Sequence, residues 1–201
     1  MINLPLFNII LADPPWQYND KLSNGERGVD FKYKTLNIKD IMALPIQNIA
    51  AEDCTLFMWG TWPLLKECVD TVEAWGFEYK TCAFVWNKVT KTEPIRLIKG
   101  MGRYTRGNTE YVLIGRKGKM LERHDKAVSQ VLFSDVTDIM LAPRGVKHSQ
   151  KPDSVIGRIT QMYPKIPKIE LFARRRLKGW NATGLEYDKT DIRDFLKRYE
   201  K

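Results

Sequence analysis

The chain predicts an α/β fold, a parallel-type sheet covered by helices on both faces. Three observations lead there. Short apolar runs rich in Ile, Leu, Val and aromatic residues recur along the chain. Segments with helical apolar spacing separate them. Prolines and glycines mark the joins. Continuous apolar runs are what strands buried on both faces require. Strands alternating with helices are the pattern of a parallel sheet.

The elements follow in order. Phe7–Ala12 is short, apolar and bounded by prolines, so it reads as a buried strand. Asp20 to Lys34 is polar and glycine-bearing, a loop. Asn37 can cap a short helix, Ile38 to Leu44, that Pro45 stops. Thr55 to Trp59 is a second buried strand. Pro63 starts a helix with Leu64, Leu65, Cys68, Val69 and Val72 on one face and Lys66, Asp70 and Glu73 on the other; Gly76 ends it. Tyr79 to Asn87, Tyr111 to Ile114 and Val131 to Phe133 are further strands. Pro152 sits where a helix begins, running to Met162 before Pro164. Ile169 to Phe172 is another strand, and an amphipathic helix covers Ile192 to Tyr199.

At 201 residues the chain is long enough for one domain with a real core. It shows no repeat, low-complexity tract or linker, so residues 1–201 read as a single domain. No apolar stretch approaches the ~20 residues of a membrane span. Met1 to Pro5 lack the basic start and apolar core of a signal peptide. Cys54, Cys68 and Cys82 have no metal spacing and sit among apolar residues. Reduced thiols in a cytoplasmic protein are the expectation, with no metal and no membrane. No G-x-G-x-x-G follows any strand, which argues against a dinucleotide enzyme.

The net charge of +9 is unevenly spread. Residues 1–87 carry 7 basic and 11 acidic side chains; residues 88–126 carry 11 and 4; residues 127–201 carry 15 and 9. The basic excess begins at Lys88, in a segment that also holds Gly100, Gly102, Tyr104 and Gly107. A glycine-bearing basic loop over about 88–110 suits a phosphate backbone, and Arg96, Lys99, Arg103 and Arg106 are its candidate contacts. A solvated face is the plainer alternative.

In such sheets ligands bind beyond the carboxyl ends of the strands. Asp13-Pro14-Pro15-Trp16 stands at one such end. An exocyclic base amine offers two hydrogens and a lone pair. A carboxylate can accept one hydrogen, a carbonyl of the rigid Pro-Pro segment the other, and an aromatic ring can stack on a base turned out of its helix. The same residues also make an ordinary strand-ending turn with Trp16 filling core. Two further clusters lie in the C-terminal third. His148-Ser149-Gln150-Lys151-Pro152-Asp153 puts Lys151 at a helix start, which favours an anion. Lys168 to Arg174, then Gly184-Leu185-Glu186, could hold a nucleoside ribose, or Glu170 could simply bridge to a basic neighbour.

In combination these motifs resemble one family. The Asp-Pro-Pro-Trp strand end, Gly107-Asn108-Thr109-Glu110, the Lys-Pro-Asp helix start and Glu-Leu-Phe-Ala-Arg come in the order seen in the adenine N6-methyltransferases typified by the 70-kilodalton subunit of the eukaryotic messenger-RNA adenosine methyltransferase. The resemblance covers roughly residues 6 to 187. It implies a Rossmann-like, S-adenosylmethionine-dependent methyltransferase fold in permuted order, catalytic motif first and donor-binding segments last. It implies Asp13, Pro14, Pro15 and Trp16 as the catalytic motif. Ala12, Asp13, Lys151, Glu170, Phe172, Arg174 and Glu186 are implied as donor-binding. Leu185 departs from the Asn common at that position, and Asn181 could compensate. The eukaryotic zinc-finger extension is missing. The expectation is therefore a monomeric or homodimeric enzyme acting on adenine in DNA. The rivals are the same reaction on RNA and a silent nucleic-acid-binding partner subunit.

Overall fold

The computed structural model describes residues 4–17, 36–90, 96–98, 100, 104–135 and 151–200. Among the described residues there are seven strands: β1 (Phe7–Ala12), β2 (Ala50–Gly60), β3 (Glu78–Val89), β4 (Thr109–Lys117), β5 (Val131–Asp135), β6 (Lys168–Leu171) and β7 (Asn181–Thr183). The helices are α1 (Ile38–Met42), α2 (Leu65–Ala74), α3 (Asp153–Met162) and α4 (Ile192–Lys197). Hydrogen bonding orders the strands β5-β3-β4-β2-β1-β6-β7. The pairs β1–β2, β1–β6, β3–β5 and β6–β7 are parallel, as the apolar runs predict.

Most elements fall where their sequences point. Asn37 caps α1, its side chain accepting from the Lys39 N–H. Pro63 lies in a short 3-10 turn, Trp62–Leu64, that leads into α2. Pro152 is the N-cap of α3, one residue earlier than a first-turn proline. Two differences have physical causes. Strands β2 and β3 extend well beyond their apolar centres because ladder pairing continues through polar residues. Strand β7 has only three residues, too few to show a period. The expected Asp20–Lys34 loop lies outside the described residues.

The packing divides the chain into two compact units. The first holds residues 1–81, 113–121 and 165–201. Its centre is β1, where Ile9, Ile10, Leu11 and Ala12 are at most 1% exposed. A strand between β2 and β6 is covered on both edges as well as both faces, which is why its sequence is apolar apart from Asn8. The indole of Trp75 donates to the Ile41 carbonyl at 2.8 Å and ties α2 to the end of α1. The second unit holds residues 82–112 and 122–164. Phe84, Trp86, Tyr111, Val112, Val155 and Ile159 are among its buried apolar residues.

Register in the first unit sets up a strand-end rim. Ala12 pairs with Leu171, and Leu171 pairs with Thr183. Asp13, Phe172 and Gly184 therefore follow the carboxyl ends of three adjacent parallel strands. The backbones there come very close. A Cβ on Gly184 would lie 2.5 Å from both the amide nitrogen and the carbonyl oxygen of Ala173. Backbone cannot swing away as a flexible side chain can. Gly184→Ala is expected to lower stability by about 1–3 kcal/mol, read as a reduced urea midpoint with an unchanged slope.

Candidate active site

The end of β1 turns sharply. The Trp16 amide donates to the Pro14 carbonyl at 2.8 Å, and the Leu36 amide to the Pro15 carbonyl at 3.0 Å. Each carbonyl keeps a second lone pair. Trp16 is only 5% exposed, and its indole N–H donates to the Trp59 carbonyl at 3.0 Å. The ring belongs to the core of the first unit. Base stacking needs more exposed ring than this, so Trp16 acts here as the anchor of the Asp-Pro-Pro turn.

Glu170 belongs to the same rim. It pairs with Leu11 on β1. Asp13 follows the end of β1 two residues after Leu11, near enough for its charge to act on Glu170. The Oε2 of Glu170 is buried and has no hydrogen-bond partner among the described residues. Burial, then the charge of Asp13, push the Glu170 carboxyl up to about 7; Arg174 opposes them weakly. Burial alone disfavours the anion, and a second carboxylate nearby adds to the cost.

Phe172, just past β6, has φ +60, a left-handed conformation that a residue with a bulky side chain rarely takes. Such backbone persists only where surrounding structure holds it, and it clusters at ligand-binding sites. Arg174 Nε lies 3.4 Å from Glu186 Oε1. Leu185 between them in the chain is 50% exposed. Asn181 sits at the start of β7, not at its carboxyl end, and its amide donates to the Lys168 carbonyl at 3.4 Å. It does not replace an Asn at position 185. The side chain of Ala12 is fully buried, so only its backbone could face a ligand.

A second cluster lies within the second unit. Glu110, 9% exposed at the start of β4, stands between two lysines. Lys88 Nζ is 2.7 Å from its Oε1, and Lys151 Nζ is 3.4 Å from its Oε2. Burial works against ionisation, yet Lys151 and Lys88 outweigh it and hold the Glu110 carboxyl below the usual range. Lys88 also lies 5.0 Å from the centre of the Trp86 ring. Sequence reasoning identified Lys151 and missed the role of Glu110. The available signal was an acid opening the apolar run Tyr111–Ile114.

Of the four basic candidates, Arg96 and Arg106 are exposed. Lys99 and Arg103 lie outside the described residues. Among the described residues no group of His, Cys, Asp and Glu could hold a metal ion, and no helix is long and apolar enough to cross a membrane.

An acid-Pro-Pro turn, with a second carboxylate on the neighbouring parallel strand, thus lies at the carboxyl end of a Rossmann-like sheet. The MT-A70 family model matches residues 7–186, and the chain belongs to that methyltransferase family. It is 39% identical over 203 residues to the type II methyltransferase M.MunI of a Mycoplasma species, covering 92% of this chain and 80% of that protein. It is 27% identical over 201 residues to the human N6-adenosine-methyltransferase catalytic subunit METTL3, covering 96% of this chain and 31% of the human one. The MT-A70-like protein of Drosophila melanogaster is 26% identical over 207 residues, with 99% and 31% covered. The chain thus spans about a third of the length of these animal relatives.

The raised Glu170 value has a thermodynamic consequence. The folded state holds this proton where the unfolded chain has lost it. The stability that Glu170 contributes is therefore full below its unfolded value near 4.3 and falls as pH rises toward about 7. Glu170→Gln removes this dependence. Its urea midpoint, compared with the unsubstituted protein, should be relatively higher at pH 8 than at pH 4.5, by an amount worth at most roughly 3 kcal/mol. A constant difference across that range would contradict the assignment.

Proposed function

We propose that this chain transfers the methyl group of S-adenosylmethionine to the N6 amine of adenine in DNA. The observation that carries the reading is the pair of carboxylates, Asp13 and Glu170, held close enough at adjacent strand ends for one charge to act on the other. The chain's residues fit such a donor. Glu170 offers a buried acceptor oxygen without a partner, suited to ribose hydroxyls, and the pair supplies negative charge toward a cation. S-adenosylmethionine supplies a methyl group on a sulfonium, already activated for transfer.

The protein's task is then position and proton handling. Asp13 accepts one hydrogen of the amine and takes up a proton as positive charge develops on nitrogen. The Pro14 carbonyl accepts the other hydrogen with its second lone pair. Trp16 fixes both by its bond to Trp59. The strained turn at Phe172 and the Arg174–Glu186 pair shape the donor's surroundings. Within the second unit Glu110 holds Lys151 and Lys88 together, a cluster suited to a phosphate or carboxylate.

DNA as the polymer is supported by the basic segment from Lys88 and by the greater identity to a type II methyltransferase than to the adenosine methyltransferases. The enzyme acts in the cytoplasm, as monomer or homodimer, and as a single catalytic domain. Similarity to METTL3 favours RNA as the second reading.

The test is transfer of labelled methyl to plasmid DNA and to RNA in parallel, followed by nucleoside analysis. N6-methyladenine in DNA is the expected product. Asp13→Ala should lower turnover at least a hundredfold, since positioned proton acceptors contribute about 10²–10⁴, while donor binding by calorimetry persists. Asp13→Asn should fail nearly as badly, because an amide does not take up the proton. Full turnover in either variant would remove Asp13 from catalysis.

A further inference from the structure

The basic segment of the second unit is a built ribbon. The Lys88 amide donates to the Asn108 carbonyl at 2.9 Å, and the Ile98 amide donates to the Lys88 carbonyl at 2.8 Å. Val89 and Leu97 pair in antiparallel fashion. The Thr90 amide donates to the Arg96 carbonyl at 2.9 Å, and the Arg96 amide returns a bond to the Thr90 hydroxyl at 3.0 Å. Farther out, the Gly100 amide donates to the Gly107 carbonyl at 2.9 Å. A Cβ on Gly100 would lie 2.2 Å from that carbonyl oxygen, so only glycine permits the closure. The Gly100–Gly107 pair encloses residues 101–106, and Tyr104 is among them.

Tyr104 is 100% exposed. A tyrosine normally buries most of its large ring, and its exposure forgoes that gain. Leu97 on the same ribbon is 50% exposed. Arg96 and Arg106 are exposed beside them, and the sequence places Lys99 and Arg103 in the same segment. A plain solvated loop explains the charge but not an aromatic ring presented wholly to water. A two-stranded antiparallel ribbon is narrow enough to enter a duplex groove. Positive charge holds it against phosphates. An apolar or aromatic wedge is the kind of group that parts base steps. Removing a base from the stack, as the proposed reaction requires, leaves a gap that a planar ring can fill.

We propose that Tyr104 inserts into the base stack of duplex DNA and stabilises the opened helix from which the target adenine has been removed. The inference rests on the DNA reading of the proposed function. It assigns Tyr104 to opening the duplex rather than to chemistry.

The experiment uses the full chain with closed circular plasmid relaxed by a topoisomerase in its presence. Saturation is checked for each variant by a binding titration. The unsubstituted protein should leave the plasmid unwound after deproteinisation. Tyr104→Ala at saturation should leave it much less so, and Tyr104→Trp should restore the effect. In transfer assays Tyr104→Ala should lose about tenfold in kcat/KM on native plasmid, in line with stacking worth ~1–3 kcal/mol per base. It should stay within about twofold on the same DNA after heat denaturation. Thermal unfolding should not change, because a fully exposed ring contributes no packing. Equal unwinding by Tyr104→Ala, or an equal loss on native and denatured DNA, would overturn the inference while leaving the methyltransferase reading intact. Transfer by the unsubstituted protein to RNA alone would overturn both.

Discussion

The parallel register of β1 against β6 is the constraint on which the candidate site depends. Leu11 opposite Glu170, and Ala12 opposite Leu171, bring two carboxylates from distant parts of the chain to one rim of the sheet. Neither strand could shift by one residue. A slip would send Glu170 to the opposite face of the sheet, away from the end of β1. The core that stabilises the first unit is thus also what fixes the spacing of its acidic groups. Hydrophobic burial does the holding, and the electrostatic cost of two neighbouring carboxylates is carried by it.

That cost is visible in Glu170, whose carboxyl is pushed up to about 7 and whose buried Oε2 lacks a partner. Glu110 shows the opposite solution in the second unit. It is as acidic by nature and more deeply buried, yet two lysines hold it ionised. A buried carboxylate left short of partners has a reason when a cation or hydrogen-bond donor is to arrive. A buried carboxylate shared between lysines has a reason when those lysines must be aimed. The same side-chain chemistry thus supports two roles, decided by its neighbours.

The sequence made much of this legible. Strand β1 was readable because an apolar run of six residues bounded by prolines has few other uses. Helix α2 was readable from its apolar spacing, and Asp13 from the rigid turn that follows it. Trp16 was readable only as one of two alternatives, a stacking ring or a core ring. Its burial depends on the Trp59 carbonyl, 43 residues away, which no local pattern reveals. The Glu110 cluster was hidden for the same reason: its lysines come from residues 88 and 151. Strand β7 was too short to have a period, and the left-handed backbone of Phe172 is imposed by its surroundings rather than encoded by a glycine. What the sequence withheld was long-range pairing; what it disclosed was local rigidity and apolar period.

The proposal that ties these features together is that Glu170, partly protonated near pH 7, gives up its proton when a cationic donor binds beside Asp13. Calorimetry of S-adenosylmethionine binding, repeated near pH 7 in buffers of differing ionisation enthalpy, counts the protons exchanged on binding. Net release of a substantial fraction of one proton, abolished in Glu170→Gln, is the predicted result. Binding with no proton release, or release unchanged in Glu170→Gln, would contradict it.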